Sequence, residues 1–219
     1  MATLNVPPTI DIVVKDNGGT PIAPLEAGSY RAICYGIVVT GTTFIPTFGN
    51  SATKIIFLWE LPDERVTIDG VDKPRGISET YTLSLNEKSN MRKMLASWRG
   101  RDFTAEELQG FSLKKVLNAP CLVSTTLMQS KQGKDFAKVS AVTKLPKGMV
   151  VPTETENPLV MFDITNESCP LTLMSSLPEW IQKRIMESDE YKERTADAGY
   201  ADGASEDFVV VDNEEDLPF

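Results

Sequence analysis

Apolar and polar positions alternate with a period of two over residues 28–40 (GSYRAICYGIVVT), the spacing of a half-buried strand. The alternation predicts Arg31, Ile33, Tyr35 and Ile37 on one face and Tyr30, Ala32, Cys34 and Val38 on the other. Residues 41–51, rich in Gly, Thr and Pro, read as a loop with Phe44 and Phe48 at its tip. A second strand over residues 54–61 (KIIFLWEL) is apolar on both faces. Residues 63–76 read as a polar connection, and residues 77–85 (ISETYTLSL) alternate as a third strand. The period then lengthens: Met91, Met94, Leu95 and Trp98 share one helical stripe, with Ser89 as the expected cap. Thr104 and Glu107 have capping-box spacing for a short helix over residues 105–109, and residues 113–117 suit one more turn. Strand character returns over residues 120–128 and 135–142, and the Gly-containing turn at 131–133 between them is a hairpin signal.

From residue 145 the chain reads as a linker, followed by a short strand or packing clip over residues 159–164. A helix is expected over residues 177–194, with Pro178 in its first turn and Trp180, Ile181, Ile185 and Met186 as its apolar stripe. Docking on the body and pairing as a homodimer both suit that helix. Residues 1–24 hold Pro7, Pro8, Gly18, Gly19 and Pro21 and read as a loose arm, in which residues 10–14 can add as an edge strand. The expected organisation is therefore an arm (1–24), a body (25–150), a linker with helix (151–194) and a tail (195–219). Three strands, a helix and two strands is the order of the five-stranded Greek-key barrel of the OB-fold. The expected class is thus mainly β (β+α): an OB-fold-like barrel with a helical insert between strands 3 and 4, a C-terminal helix and a disordered acidic tail.

Charge sharpens this division. The net charge is −9, yet residues 1–150 carry 18 basic and 14 acidic side chains, and residues 151–219 carry 4 and 17. The body can meet phosphate and the tail cannot. With no histidine, and with Cys34, Cys121 and Cys169 in no metal-type spacing, the common zinc patterns and His-activated nucleophiles are excluded. No phosphate-cradling glycine motif is present, so no enzyme, cofactor or metal is expected. The absence of a signal peptide or long apolar run predicts a soluble, cytoplasmic protein with reduced thiols and no membrane partner.

Residues 195–219 contain eight acidic side chains and no Lys or Arg, the composition of a self-repelling interaction tail. The tail ends DNEEDLPF. That tip resembles the C-terminus of bacterial single-stranded DNA-binding proteins, an acidic run closed by an aliphatic residue, Pro and Phe. The resemblance implies that Phe219 enters an apolar pocket on a partner while a basic rim takes its carboxylate and Asp212, Glu214, Glu215 and Asp216, with Leu217 and Pro218 alongside. The body departs from the cellular family in its helix-rich insert over residues 88–118 and in the helix before the tail. In this it looks like the divergent single-strand binders of tailed bacteriophages, which would place it in the host cytoplasm. The implied role is coating single-stranded DNA in replication, repair or recombination while the tail recruits partner proteins. The resemblance also suggests that the tail rests on the body's basic groove until DNA displaces it.

Non-specific single-strand binding needs cations along the backbone and rings for the bases. The candidates are Arg31 and Tyr35 on the first strand, and Phe44 and Phe48 in the loop that follows. Lys54, Trp59, Lys73, Arg75 and Tyr81 are candidates on and between the next two strands. Lys88, Arg92, Lys93, Arg99 and Arg101 cluster in and after the helix, and Lys131, Lys134 and Lys138 mark the last hairpin. Strand aromatics equally suit the core, and the helix cluster equally suits a solvated face. Two other functions fit the same tail. One is an acidic interaction or inhibitor protein occupying the host pocket for such tips. The other is a recombination mediator or metal-dependent nuclease.

Overall fold

The structure, a computed structural model, describes residues 23–68, 70–130, 133–150 and 154–197. Almost all of the expected arm, and the tail from residue 198, lie outside the described residues.

Three long strands, β1 (Gly28–Ile45), β2 (Asn50–Ile68) and β3 (Val71–Thr82), lead into helix α1 (Asn90–Arg99) and the short α2 (Ala105–Gln109). Strands β4 (Pro120–Gln129) and β5 (Asp135–Thr143) form a hairpin. A C-terminal segment then adds β6 (Val160–Asp163), α3 (Glu179–Met186) and α4 (Asp189–Asp197). The order across the sheet is β3-β2-β1-β4-β5, antiparallel throughout, with β6 parallel to β1 off that path. Strand β4 pairs with β1 over Gly28–Ile33, and β6 takes the place beside Gly36–Val39 that β4 has left. The sheet curls until its two edge strands, β3 and β5, approach each other, with α1 packed against both.

This curled sheet has two cores. Inside lie Ala32, Cys34, Ile37, Ile55, Phe57 and Trp59, closed by the α1 stripe Met91, Met94, Leu95 and Trp98. Outside, Val38, Ile56 and Leu58 are covered by Phe162, Ile164, Leu177, Ile181 and Ile185 of the C-terminal segment. Burial on both sides is why residues 54–61 read as apolar on both faces.

Four expectations are corrected. Ile37 and Val38 sit on the faces opposite to those predicted, because a register irregularity between Cys34 and Gly36 shifts the alternation by one residue. Gly36 permits this crowding: a Cβ there would lie 2.6 Å from the Leu58 side chain. Residues 41–51 and 63–76, expected as loop and connection, are mostly strand, and the β1–β2 turn is only a 3-10 turn at Pro46–Phe48. Ser89 makes no side-chain cap; its hydroxyl donates to the Ser84 carbonyl at 2.7 Å instead. The C-terminal helix is two helices with Met186 exposed. At the break, buried Ser188 donates to the Ile185 carbonyl and accepts the Tyr191 N–H.

Other expectations hold. Thr104 and Glu107 form the full capping box, and the 120–142 hairpin, the α1 stripe and a strand within residues 159–164 are present. No helix among the described residues is long and apolar enough to cross a membrane.

Polar latches hold the C-terminal segment down. Buried Glu60 accepts the backbone N–H groups of Glu156 (3.1 Å) and Asn157 (2.8 Å) and the Asn157 side-chain amide (2.6 Å). Glu190 accepts the Thr42 N–H and hydroxyl, both at 2.7 Å. Burial pushes the Glu190 carboxyl up, but the Thr42 donors outweigh this and hold it below its ordinary value. Arg194 donates to the carbonyls of Ile164 (3.2 Å) and Cys169 (2.8 Å). Gly41, at φ 94°, lies so close to α4 that a Cβ would meet Ser188 and Glu190 at 2.5 and 2.6 Å.

Candidate nucleic-acid interface

Unpaired sheet edges expose backbone donors and acceptors, and folded proteins cover or charge them. An open seam of two lobes, each about 470 Å³, runs along β3: one lies between the end of β3, β2 and the turn before α1, the other between the β3 and β5 edges, and they share Thr80, Tyr81 and Asn90. Lys54 and Lys88 line the first lobe, and Lys93 and Lys138 the second. These side chains come from four elements: β2, the turn before α1, α1 itself and β5. Their ammonium groups form no ion pair among the described residues; Lys54 donates to the Thr82 hydroxyl at 3.2 Å. Glu79 is the one acidic residue lining the lobes among the described residues.

Tyr81 lies where the lobes meet. Its inner side packs edge-on to Phe57, with ring centroids 5.9 Å apart, and its hydroxyl titrates above its ordinary value through burial and then the nearby Glu79 charge. The first turn of α1 borders both lobes through Asn90, with no acidic residue in that turn and no side-chain cap. Its N–H groups therefore add partial positive charge to the same side.

The seam thus brings together Lys54, Tyr81, Lys88, Lys93 and Lys138 from the sequence candidates. Other candidates lie elsewhere. Trp59 is fully buried in the inner core, stacked on Phe57 with centroids 5.8 Å apart. Tyr35 packs against the outer core, where burial and then Glu60 push its hydroxyl up to about 12. Arg31 forms a two-pronged pair with Asp63, holding that carboxyl below its ordinary value, and also donates to the Val150 carbonyl. Arg75 donates to the Ala23 carbonyl at 2.8 Å. Lys73 is exposed on β3, Lys134 is exposed in the β4–β5 turn, and Phe44 is 61% exposed at the β1–β2 turn. Lys131, the Phe48 side chain and the tip residues Asp212, Glu214, Glu215, Asp216, Leu217, Pro218 and Phe219 lie outside the described residues.

The arginines of the helix cluster are tied into a shoulder around α2. Arg92 pairs with Asp102 at 3.0 Å. Arg99 pairs with Glu107, and its guanidinium lies 4.5 Å from the Phe103 ring centre and 4.7 Å from that of Phe111. Arg101 reaches the same Glu107 at 2.7 Å. Hydrogen bonds from Arg101, then Arg99 and the Thr104 N–H, hold the Glu107 carboxyl well below the usual carboxylate range. Sequence reasoning missed Thr80, Asn90 and Ser140 in the seam walls, polar residues whose placement depends on tertiary packing alone.

Among the described residues no group of three His, Cys, Asp or Glu side chains is placed to hold a metal ion. No family model matches the chain, and no curated protein or solved structure matches it either.

Proposed function

We propose that the protein binds single-stranded DNA along the β3–β5 seam and uses its acidic C-terminal tip to hold partner proteins at exposed strands during replication, repair or recombination. The observation that carries the reading is the seam: four lysines without ion-pair partners among the described residues, around one tyrosine, in an open groove along β3. Cations along a backbone track and a ring for a base are what sequence-independent single-strand binding requires. The strand order and the helix between β3 and β4 favour an OB-fold-like barrel, a scaffold that takes oligonucleotides on its open face. The tip DNEEDLPF supports the recruiting role, and the helix-rich insert and the helical segment before the tail, in which the chain resembles phage single-strand binders, favour action in a host cytoplasm.

The test is fluorescence-anisotropy titration of labelled oligo-dT at several salt concentrations, with the full chain and a variant lacking residues 212–219. Binding by both, weakening as salt rises, is the expected result. No binding by either overturns the reading and leaves the tail as the active part, as in an inhibitor that occupies a host pocket.

A further inference from the structure

The two lobes of the seam meet at Tyr81 but differ in what else surrounds them. The first is lined by Lys54, Lys88 and a set of hydroxyl and amide side chains, among them Ser84 and Asn86. No aliphatic residue lines it among the described residues. The second adds Met94 of α1 and Val139, Ala141 and Val142 of β5. Met94, Val139 and Val142 are buried members of the inner core, so this lobe reaches down to the core itself.

A nucleotide has the same two-part character. Its phosphate and sugar are charged or hydrogen-bonding throughout, while its base has flat apolar faces and a polar rim. In the first lobe, ammonium and hydroxyl donors can replace the water that a phosphate gives up. In the second, the faces of a base leave water against Met94, Val139 and the Tyr81 ring. Strand β5 pairs only with β4 among the described residues, so its free edge offers backbone donors and acceptors to the rim of that base. The volume of about 470 Å³ lies within the range of small-ligand pockets, about 300–1,000 Å³.

We propose that the second lobe is a base pocket, which takes one unpaired base against Met94, Val139 and Tyr81 while the first lobe holds a neighbouring phosphate. This rests on the seam reading above and names the part of the strand that each lobe receives. Selection for single strands then resides in the second lobe, because a duplex offers phosphates but no unpaired base.

Anisotropy titrations of the full chain with three labelled ligands of equal length test the division: oligo-dT, the same backbone made abasic, and a duplex. The native chain should bind oligo-dT about ten-fold more tightly than the abasic strand, the size of one stacked base. Ser97 is exposed on α1 and lines the second lobe, and Leu in its place fills that lobe with a good helix former. S97L should bring oligo-dT down to the abasic level and leave the affinities for the abasic strand and the duplex as in the native chain. Equal native affinity for oligo-dT and the abasic strand, or S97L keeping the native preference for oligo-dT, overturns the pocket and leaves the seam reading standing. No salt-sensitive binding of any of the three ligands overturns both. If S97L fails to melt cooperatively, A141L fills the same lobe from an exposed position on β5 and is read in the same way.

Discussion

Three arginines on the α2 shoulder and four lysines on the seam carry the same sign of charge within one small region, under opposite conditions. Arg92, Arg99 and Arg101 are spent on Asp102 and Glu107, and Arg99 is further held between two rings. The seam lysines face an open groove without a carboxylate partner among the described residues. The contrast extends across the molecule. Each of the eight arginines is engaged by a carboxylate, a carbonyl or a hydroxyl, as with Arg65 on Asp72 and Glu156. The side chains fit this division. A planar guanidinium with a fixed fork of donors suits an architectural pair, while a flexible, hydrated ammonium suits a backbone track without sequence preference. A cluster of cations in a sequence is therefore a poor guide to a binding surface unless its carboxylate partners are also located.

The largest effect expected from this contrast is on the seam. Replacing Lys54, Lys88, Lys93 and Lys138 together with Gln should weaken oligo-dT binding by at least about 100-fold near 0.1 M salt. It should also flatten the log–log salt dependence by about 0.7 per lost phosphate contact. Thermal melting should barely change. A flattening of the same size from replacing Arg92, Arg99 and Arg101 would erase the distinction between the two regions.

Next in size, Arg99→Ala should destabilise the fold by about 2 kcal/mol in chemical denaturation, because the Phe103 and Phe111 rings lose the cation between them. Its salt dependence of DNA binding should match that of the native chain.

Gly41→Ala probes the C-terminal segment in the same way. The positive φ and the 2.5 Å approach to Ser188 predict a loss of about 1–2 kcal/mol, with amide exchange rising first in α3 and α4 and not in the seam.

The smallest effect is a pH dependence. The folded carboxyl of Glu107 titrates below its unfolded value, so its stabilisation is complete above about pH 4.3 and is lost as pH falls from there. Glu107→Gln should therefore flatten the acid limb of the stability curve. An acid limb unchanged in that variant would remove Glu107 from the account.

Much of this was legible from sequence, for identifiable reasons. The α1 stripe, the capping box and the 120–142 hairpin are local signals, and local physics decides them. Residues 41–51 and 63–76 misled because Gly, Thr and charged residues on exposed hairpin extensions resemble loop composition, although β1 stays paired with β2 in the first and β2 with β3 in the second. The face swap at Ile37 and Val38 followed from one irregularity at Gly36, invisible to a count of alternation. At the site the sequence names the lysines, but not which cations lack a carboxylate partner among the described residues. Glu107 is legible as half of a capping box, and only the tertiary structure shows that it also pairs with Arg99 and Arg101.

The two-sided burial of β1 and β2 has a consequence for how the chain is made. All five strands of the curled sheet lie before residue 145 in the chain, but Val38, Ile56 and Leu58 are covered only by Phe162, Ile181 and Ile185, which are made later. Until then an incomplete chain presents an apolar strip to water, the kind of surface that recruits chaperones or a second unfinished chain. A chain truncated near residue 150 would keep the strands of the curled sheet but leave this back uncovered.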